Sequence, residues 1–316
     1  MNKARTIVFG AAHWHVPLYV EAMTEVHDVV GVSEPEADVT GLFPGVPQLS
    51  DDELLKLPDI ELAYVFGPHD RMAGRCLELI ERGIPFVVEK PLGTSLDELE
   101  RVREAARAAG VPVTVPLVQR DAAVDRWLRK AGAPVYQRTS FIAGPPERYL
   151  RNGSPWMLDQ ARAGGGCLAN LGPHFVDLFL TAAGERTAEV RSSLLSTLHE
   201  GKVEDHATLL LTTPGGHEAV IEVGYAFPDA PAKRYCSFTS VGRDGFAAVN
   251  SDGSATFTST AGETEQAMLD VDSDTMYGPF VRRVAETLGD RFASMATLDD
   301  LYDAMTIIWR AYGEQP

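Results

Sequence analysis

The chain has 316 residues, 45% of them hydrophobic, and carries a formal net charge of -17. Its length exceeds the ~100 to 200 residues of a typical domain and predicts two domains, each with its own core. The negative charge, which no basic cluster interrupts, argues against nucleic acid and anionic membranes as partners. No apolar run approaches the ~20 residues that cross a bilayer, and no signal-peptide core follows the N-terminus, so we expect a soluble, cytoplasmic protein. Widely spaced cysteines predict neither disulfides nor a thiolate zinc site; they are Cys76, Cys167 and Cys236.

Residues 1–120 alternate short apolar runs with amphipathic segments, a pattern typical of parallel strands joined by crossover helices. Strands are predicted at 6–9, 29–33, 62–66, 86–89 and 113–116, and helices at 16–24, 51–56, 72–82 and 95–109. The last helix has Ser95 as its N-cap and Gly110 as its stop. We therefore expect an α/β domain over residues 1–120 with the doubly wound parallel sheet of a Rossmann fold.

Residues 121–316 have a different character. A helix at 121–131 is followed by alternating, strand-like stretches at 135–142, 188–197, 206–213, 218–225 and 234–241, with helices at 175–183, 278–288 and 298–312. This pattern predicts an α+β domain with a largely antiparallel, open sheet. Because one face of an open sheet is left uncovered, we expect a homodimer or homotetramer that forms through this C-terminal sheet.

The loop after the first strand is the first candidate for a binding site, because ligands of an open parallel sheet bind beyond the carboxyl ends of its strands. A complete dinucleotide fingerprint would have glycine at positions 10, 12 and 15, but only Gly10 is a glycine. Taken alone, the loop is equally well explained as a turn without a ligand. We expect it to contact the phosphates or the nicotinamide through Ala12, His13, Trp14 and His15, although Trp14 is explained equally well by packing under the first helix.

Two further loops carry candidate cofactor residues. Glu34 ends the second strand, 24 residues past Gly10, where an acid accepts hydrogen bonds from the adenosine ribose and repels a 2'-phosphate. This favours NAD over NADP, and a solvated turn acid is the alternative. After the third strand, Phe66 and Gly67 let the backbone pass close to a nicotinamide ribose, although a simple turn explains this loop nearly as well. We expect His69 in the same loop to be a loop histidine rather than a catalyst.

The loop after the fourth strand reads Glu89-Lys90-Pro91, so two charged residues leave a core strand at the predicted ligand edge. Glu89 and Lys90 are therefore also expected to contact the cofactor. A lysine there polarises a substrate hydroxyl or exchanges a proton with it. A surface pair of opposite charges at a strand end is the alternative interpretation.

This tripeptide occurs together with a glycine-rich stretch from Gly164 to Asp177 that contains Asn170 and His174. The two motifs resemble the glucose-fructose oxidoreductase and inositol dehydrogenase family (Gfo/Idh/MocA), and the resemblance extends over nearly the whole chain. It implies an NAD(P)-binding domain followed by a domain that binds substrate and forms oligomers. It also implies a catalytic role for Lys90, Asn170 and His174.

The same resemblance implies that Arg120 and Trp156 help to wall a sugar pocket, although both residues are also explained as structural. In the glycine-rich stretch, Asn170 and His174 stand at i and i+4 and share a helical face, and Asp177 is placed to orient the imidazole. Three glycines before them permit close approach of the backbone.

Two departures from the family pattern bear on function. Ala12 and His15 replace glycines and add bulk near the pyrophosphate. Asn170 replaces the commoner aspartate, and an amide orients a hydroxyl but cannot act as a base. Proton transfer must then fall to His174 and Lys90.

These residues predict hydride transfer between NAD and a carbon that bears a secondary hydroxyl, in a sugar, polyol or related small molecule. Lys90 stabilises the developing alkoxide, His174 removes the proton and Asn170 orients the hydroxyl. The alternatives are redox-assisted elimination or glycoside cleavage, and a non-catalytic dinucleotide sensor. A metal hydrolase, suggested by His13-x-His15, would need a barrel of eight strand-helix units, but the alternation stops near residue 120. We expect no bound metal.

Overall fold

The computed structural model describes residues 3–120, 122–231 and 233–313. The described residues divide into two compact units, each built from discontinuous parts of the chain. The first unit comes from Met1–Pro116, Tyr149–Gly164 and Asp274–Asp299, and the second from Leu117–Arg148, Gly165–Ser273 and Asp300–Pro316. The predicted domain boundary near residue 120 stays a prediction, and position 121, where the second domain was expected to begin, lies outside the described residues.

The first unit contains a six-stranded parallel sheet with strand order β3-β2-β1-β4-β5-β6. Its strands and helices over the first part of the chain are β1 (Arg5–Phe9), α1 (Val16–Val26), β2 (Asp28–Ser33), β3 (Gln48–Leu49), α2 (Asp51–Leu54), β4 (Leu62–Val65), α3 (His69–Glu81), β5 (Phe86–Val88), α4 (Leu96–Ala109) and β6 (Val113–Thr114). The order is that of a Rossmann fold and confirms the predicted fold class. Strand β3 was not predicted, because two residues are too short for an alternation.

Capping explains where two of these helices begin. Ser95 accepts a hydrogen bond from the Glu98 N–H and precedes α4, and Gly110 ends that helix in the left-handed conformation, as predicted. In contrast, α3 begins at His69, three residues before its predicted start, because extended Pro68 forms its N-cap. The expectation that His69 lies in a loop is therefore wrong: it is the first residue of a helix.

The rest of the chain forms α5 (Ala123–Leu128), β7 (Pro134–Ala143), α6 (Glu147–Arg151), α7 (Gln160–Ala163), α8 (Cys167–Ala183), β8 (Glu189–Leu195), β9 (His206–Thr212), β10 (Glu218–Gly224), β11 (Arg234–Gly242), β12 (Gly245–Val249), β13 (Ser254–Ser259), β14 (Thr264–Met268), α9 (Tyr277–Thr287) and α10 (Leu298–Ala311). Its eight strands form one sheet in the order β14-β13-β12-β11-β7-β10-β9-β8. Among the described strands of this second sheet, only β7 and β10 pair in parallel, which confirms a largely antiparallel sheet. Both sheets are open, so neither is an eight-unit barrel.

Helix α8 covers one face of the second sheet. Its Phe175 ring lies 5.1 Å from the ring of Phe141 and 6.1 Å from that of Phe238, measured between centroids. The prediction that this helix starts at residue 175 is wrong, because it starts at Cys167 and has Pro173 in its interior.

The opposite sheet face exposes apolar side chains between polar ones, among them Leu195, Leu210, Tyr235 and Phe246. The predicted oligomer through this sheet stays a prediction. Among the helices that the structure describes, none has the length and apolar character to cross a membrane.

Gly10 makes the turn at the end of β1 possible. It has a φ of +69°, and a Cβ added there would lie 2.0 Å from the carbonyl oxygen of Gly67, the second residue after β4. No side chain fits this position without moving backbone.

We expect Gly10→Ala to lower the free energy of unfolding by at least ~2 kcal/mol, because the new methyl group meets backbone in a left-handed conformation. The control is Gly74→Ala at an exposed position of α3, where an added Cβ meets nothing within 4 Å. It should raise the free energy of unfolding by up to ~1 kcal/mol, because alanine favours helix. Urea unfolding measures both, and equal stability of the two variants would contradict this account.

Candidate cofactor and catalytic site

The loop after β1 folds back on itself through its own amides. The His13 N–H donates to the Gly10 carbonyl at 3.0 Å, and the His15 N–H donates to His13 Nδ1 at 3.1 Å. Because His13 Nδ1 accepts, its ring carries its proton on Nε2. Burial lowers the pKa of His13 well below its usual value, and the nearby His15 lowers it further. His13 is therefore neutral at neutral pH and offers no positive charge to a phosphate.

Glu34 lies against this loop. Its Oε2 accepts the Ala12 N–H at 3.0 Å, its Oε1 accepts the Glu36 N–H at 3.1 Å, and its side chain is largely buried. The alternative of a solvated turn acid is therefore wrong. Each carboxylate oxygen keeps a second lone pair, so the group retains the capacity to accept a ribose hydroxyl.

Trp156 belongs to the same unit and lies directly on Gly67. A Cβ added at Gly67 would come within 2.6 Å of the Trp156 ring. The indole also stands between His13 and His69, with ring centroids 5.6 Å and 4.7 Å away. Trp156, expected as a substrate residue, is thus grouped with the expected cofactor residues.

Polar contacts fix the segment that carries Trp156 to the edge of the first sheet. His69 Nδ1 donates to the Ala163 carbonyl at 2.8 Å, and the Ser154 hydroxyl donates to the Ala12 carbonyl at 3.2 Å. Arg162 pairs with Glu36 at 2.9 Å. Burial lowers the pKa of His69 to about 4, so its imidazole is neutral at neutral pH.

Glu89 is a buried hydrogen-bond acceptor at the carboxyl end of β5, shared by two side chains. Its Oε1 accepts from His15 Nδ1 at 2.9 Å and from the Tyr19 hydroxyl at 2.7 Å. The Tyr277 hydroxyl lies 3.2 Å from the other ring nitrogen of His15. Burial raises the pKa of Tyr19 well above its usual value, and the neighbouring Glu89 carboxylate raises it further, so this phenol stays protonated and donates.

Lys90 follows Glu89 and is only 2% exposed. Lysine is rarely buried to this extent unless it is paired. The alternative of a surface Glu-Lys pair at the strand end is therefore wrong for both residues.

In the second unit, α8 carries Asn170 and His174 on one face, and both are buried. The Asn170 amide donates to the Tyr225 hydroxyl at 3.0 Å, which fixes the orientation of the amide. The Arg148 guanidinium stands 5.2 Å from the centre of the Tyr225 ring. A cation over this aromatic face further holds the tyrosine in place.

Arg120 forms a bidentate ion pair with Asp177. Its Nε donates to Asp177 Oδ2 at 2.7 Å, its Nη2 donates to Oδ1, and Nη2 also lies 3.1 Å from Asp300. Burial raises the pKa of Asp177 to about 6, and the hydrogen bonds from Arg120 limit the rise. The hydrogen bonds of this carboxylate thus go to Arg120. A place for Arg120 in a substrate wall stays a prediction.

The predicted residues are divided between the two units. The first contains Gly10, Ala12, His13, Trp14, His15, Glu34, Phe66, Gly67, His69, Glu89, Lys90 and Trp156, and the second contains Arg120, Asn170 and His174. No group of three or more metal-ligating side chains occurs among the residues that the structure describes. Sequence reasoning missed Tyr225 and Tyr277, for which no motif exists. Tyr19 had a signal, since it stands four residues after His15 on the same helical side.

A dinucleotide fits the edge of the first sheet in part. Glu34 holds its carboxylate beside the loop after β1, as an adenosine ribose requires, whereas the space beside Gly10 is taken by the backbone of Gly67. Trp156, however, covers the backbone of Gly67, where the nicotinamide ribose was expected.

This fold and these residues define a Rossmann-type oxidoreductase. Residues 6–117 match the family described as "Oxidoreductase family, NAD-binding Rossmann fold", and residues 129–248 match the "GFO/IDH/MocA C-terminal domain". The chain belongs to the Gfo/Idh/MocA family of oxidoreductases, and the predicted family and NAD cofactor are confirmed.

Individual relatives are distant. Trans-1,2-dihydrobenzene-1,2-diol dehydrogenase of Oryctolagus cuniculus is 28% identical over 200 residues, which cover 60% of this chain and 59% of the relative. 1,5-anhydro-D-fructose reductase of Ensifer adhaerens is 29% identical over 146 residues, or 44% of this chain and 43% of the relative. The matched stretch thus spans less than two thirds of either relative. The solved structure of levoglucosan dehydrogenase in complex with NADH and levoglucosan superposes with a TM-score of 0.83 at 15% identity, covering 99% of this chain and 97% of that one.

We expect Arg120→Met to lower the free energy of unfolding by about 3 to 5 kcal/mol, because buried Asp177 loses both hydrogen bonds from Arg120. Arg186→Met, which removes an exposed pair with Asp303, should cost at most ~1 kcal/mol. Because burial gives the Asp177 carboxyl a raised pKa in the folded state, protonation favours folding. Because Arg120 lowers this pKa, its removal raises the pKa of Asp177 above about 6. The deficit of Arg120→Met should therefore shrink as the pH falls toward about 6 and level off below it. Urea unfolding over a pH series tests this, and a pH-independent deficit would contradict it.

Proposed function

We propose that this protein is an NAD-dependent dehydrogenase that acts on a secondary hydroxyl of a sugar, a polyol or a related cyclic diol. Membership of the oxidoreductase family supports redox chemistry on the nicotinamide. The substrate class is supported by the names of the relatives, which act on a dihydrodiol, an anhydro sugar and an apiose.

The observation that carries the proposal is the buried Lys90 at the carboxyl end of β5. Ligands of a doubly wound sheet bind at this edge, so the ammonium group belongs to the region where a substrate would meet the cofactor. Its neighbour Glu89 is held by His15 and Tyr19, which fixes the backbone from which Lys90 extends. A cation fixed out of water stabilises developing negative charge on a substrate oxygen more strongly than a solvated one does.

Each remaining residue has a role in moving or orienting a proton. NAD, when bound, supplies the hydride acceptor. His174 accepts the proton of the substrate hydroxyl, and Lys90 stabilises the oxygen that the proton leaves. Asn170 holds the direction of that hydroxyl, while its bond to Tyr225 holds the direction of the amide. An amide cannot replace His174 as a base.

Glu34 supports NAD rather than NADP. Its carboxylate is fixed by two backbone N–H groups at the end of β2, and a 2'-phosphate there would meet a negative charge that cannot turn away. A homo-oligomeric state and a cytoplasmic location complete the proposal, and both rest on the sequence.

A dinucleotide sensor without turnover is the second candidate. It is favoured by the Trp156 ring on Gly67 and by the use of the Ala12 amide for Glu34 rather than for a phosphate. Such a protein would bind NADH and oxidise no polyol. Redox-assisted elimination is distinguished by a cofactor that stays bound through purification and shows no net reduction.

We expect NADH to bind more tightly than NADPH by at least ~10-fold, and Glu34→Ala to remove most of this preference, because the repelling carboxylate is lost. The control is Glu61→Ala, an exposed acid of the same unit. Fluorescence titration measures both dissociation constants. The signal should include quenching of Trp156, so Trp156→Phe should diminish it. Equal affinities in the parent protein would contradict the role of Glu34.

We expect Lys90→Ala to lower the turnover number by at least ~100-fold on the best substrate from a panel of sugars, polyols and anhydro sugars. The affinity for NADH should change little, because the main cofactor contacts come from other loops. Lys56→Ala, which removes an exposed lysine of the same unit, is the control. Stopped-flow absorbance at the NADH band gives the rate. Undiminished turnover in Lys90→Ala would remove Lys90 from the mechanism.

A further inference from the structure

The N-terminus of α8 is capped by residues that lie far from it in the sequence. A helix leaves its first backbone N–H groups without partners inside the helix, and Gly166 at the N-cap has no side chain to supply one. Glu204 accepts the Gly166 N–H and the Leu168 N–H on its two carboxylate oxygens, each at 2.8 Å. Its backbone carbonyl accepts the Cys167 N–H at 3.0 Å.

Tyr312 completes the cap. Its hydroxyl accepts the Ala169 N–H at 3.1 Å and donates to Glu204 at 2.6 Å. Every N–H from Gly166 to Ala169 thus has a partner in Glu204 or Tyr312. The carboxylate also lies at the positive end of the helix dipole, which strengthens these bonds.

The glycines before α8 are required by this cap. A Cβ at Gly165 would lie 2.3 Å from the Tyr312 hydroxyl oxygen, and one at Gly166 would lie 2.2 Å from the Glu204 carbonyl oxygen. The glycine run therefore admits these two residues to the helix terminus.

Asp205, which follows Glu204 in the chain, helps to fix the Asn170 side chain through Tyr225. The Asp205 carbonyl accepts the Tyr225 N–H at 2.7 Å, and the Tyr225 hydroxyl accepts the Asn170 amide at 3.0 Å. The Asn170 N–H in turn donates to the Gly166 carbonyl at 3.1 Å. These hydrogen bonds connect Glu204 through the first turn of α8 to Asn170. Tyr225 then connects Asn170 to Asp205, which follows Glu204 in the chain.

We propose that Glu204 and Tyr312, which we call the α8 brace, are positioning residues that set where α8 presents Asn170 and His174 to the substrate. This inference rests on the proposed function for its catalytic consequence. The brace acts through the first turn of the helix, which ends at Asn170 and lies one turn before His174.

The test compares Tyr312→Phe and Glu204→Gln with matched controls on the same unit, Tyr235→Phe and Glu218→Gln, whose side chains are exposed. Tyr312→Phe deletes one hydroxyl, whereas Glu204→Gln turns one acceptor into a donor that faces a backbone N–H. If Glu204→Gln fails to fold, Tyr312→Phe carries the test.

The first readout needs no substrate. In protein labelled with ¹⁵N-histidine, the imidazole signals of His174, assigned with His174→Asn, should shift in both brace variants and stay in place in both controls. Unchanged His174 signals in the brace variants would overturn the proposal.

The second readout is kinetic. The turnover number should fall by ~10- to 100-fold in the brace variants, because small displacements of catalytic groups are costly, while the dissociation constant of NADH stays unchanged. Shifted signals with undiminished turnover would overturn the positioning role. If the His174 signals shift in the brace variants but the parent protein oxidises no polyol, the structural role of the brace is supported and the proposed function is rejected.

Discussion

A carboxylate removed from water must be given hydrogen-bond donors, and this constraint organises the candidate residues within each unit. Glu34 is satisfied by backbone N–H groups of its own loop and of the loop after β1, and Glu89 by a histidine and a tyrosine. Glu204 is satisfied by the start of α8, and Asp177 by Arg120. Each buried acid thereby fixes a loop or a helix terminus. Much of the precision of the site comes from residues that need take no part in its chemistry.

The charges left for catalysis are few as a result. His13 and His69 are neutral because burial disfavours their protonated forms, so neither imidazole offers a positive charge to a phosphate. Lys90 is the notable buried cation of this edge among the residues that the structure describes. A cation held out of water suits the stabilisation of an alkoxide better than the binding of a highly charged ligand.

Periodicity and capping predicted most of the fold, because they are local. The strands of the first sheet and the ends of α4 follow from apolar runs, Ser95 and Gly110. The start of α8 was misplaced because its cap comes from Glu204, 36 to 38 residues later in the chain. The grouping of Trp156 with Gly67 was missed for the same reason, since no motif states which loop covers which glycine. The candidate residues follow from motifs in the sequence, whereas the partners that hold them depend on tertiary structure.

The composition of the first unit affects how the chain folds during synthesis. Tyr19 on α1 packs against Tyr277 of α9, with ring centroids 5.0 Å apart, and Glu25 pairs with Arg282 at 2.6 Å. Chains emerge from the ribosome N-terminus first, and domains ordinarily fold in that order. The Rossmann sheet will emerge long before α9, so this face of α1 stays uncovered until α9 has been translated. The first unit begins with the N-terminal residues but is completed only when α9 has been made. Until then the nascent chain exposes an aromatic surface of the kind that chaperones bind.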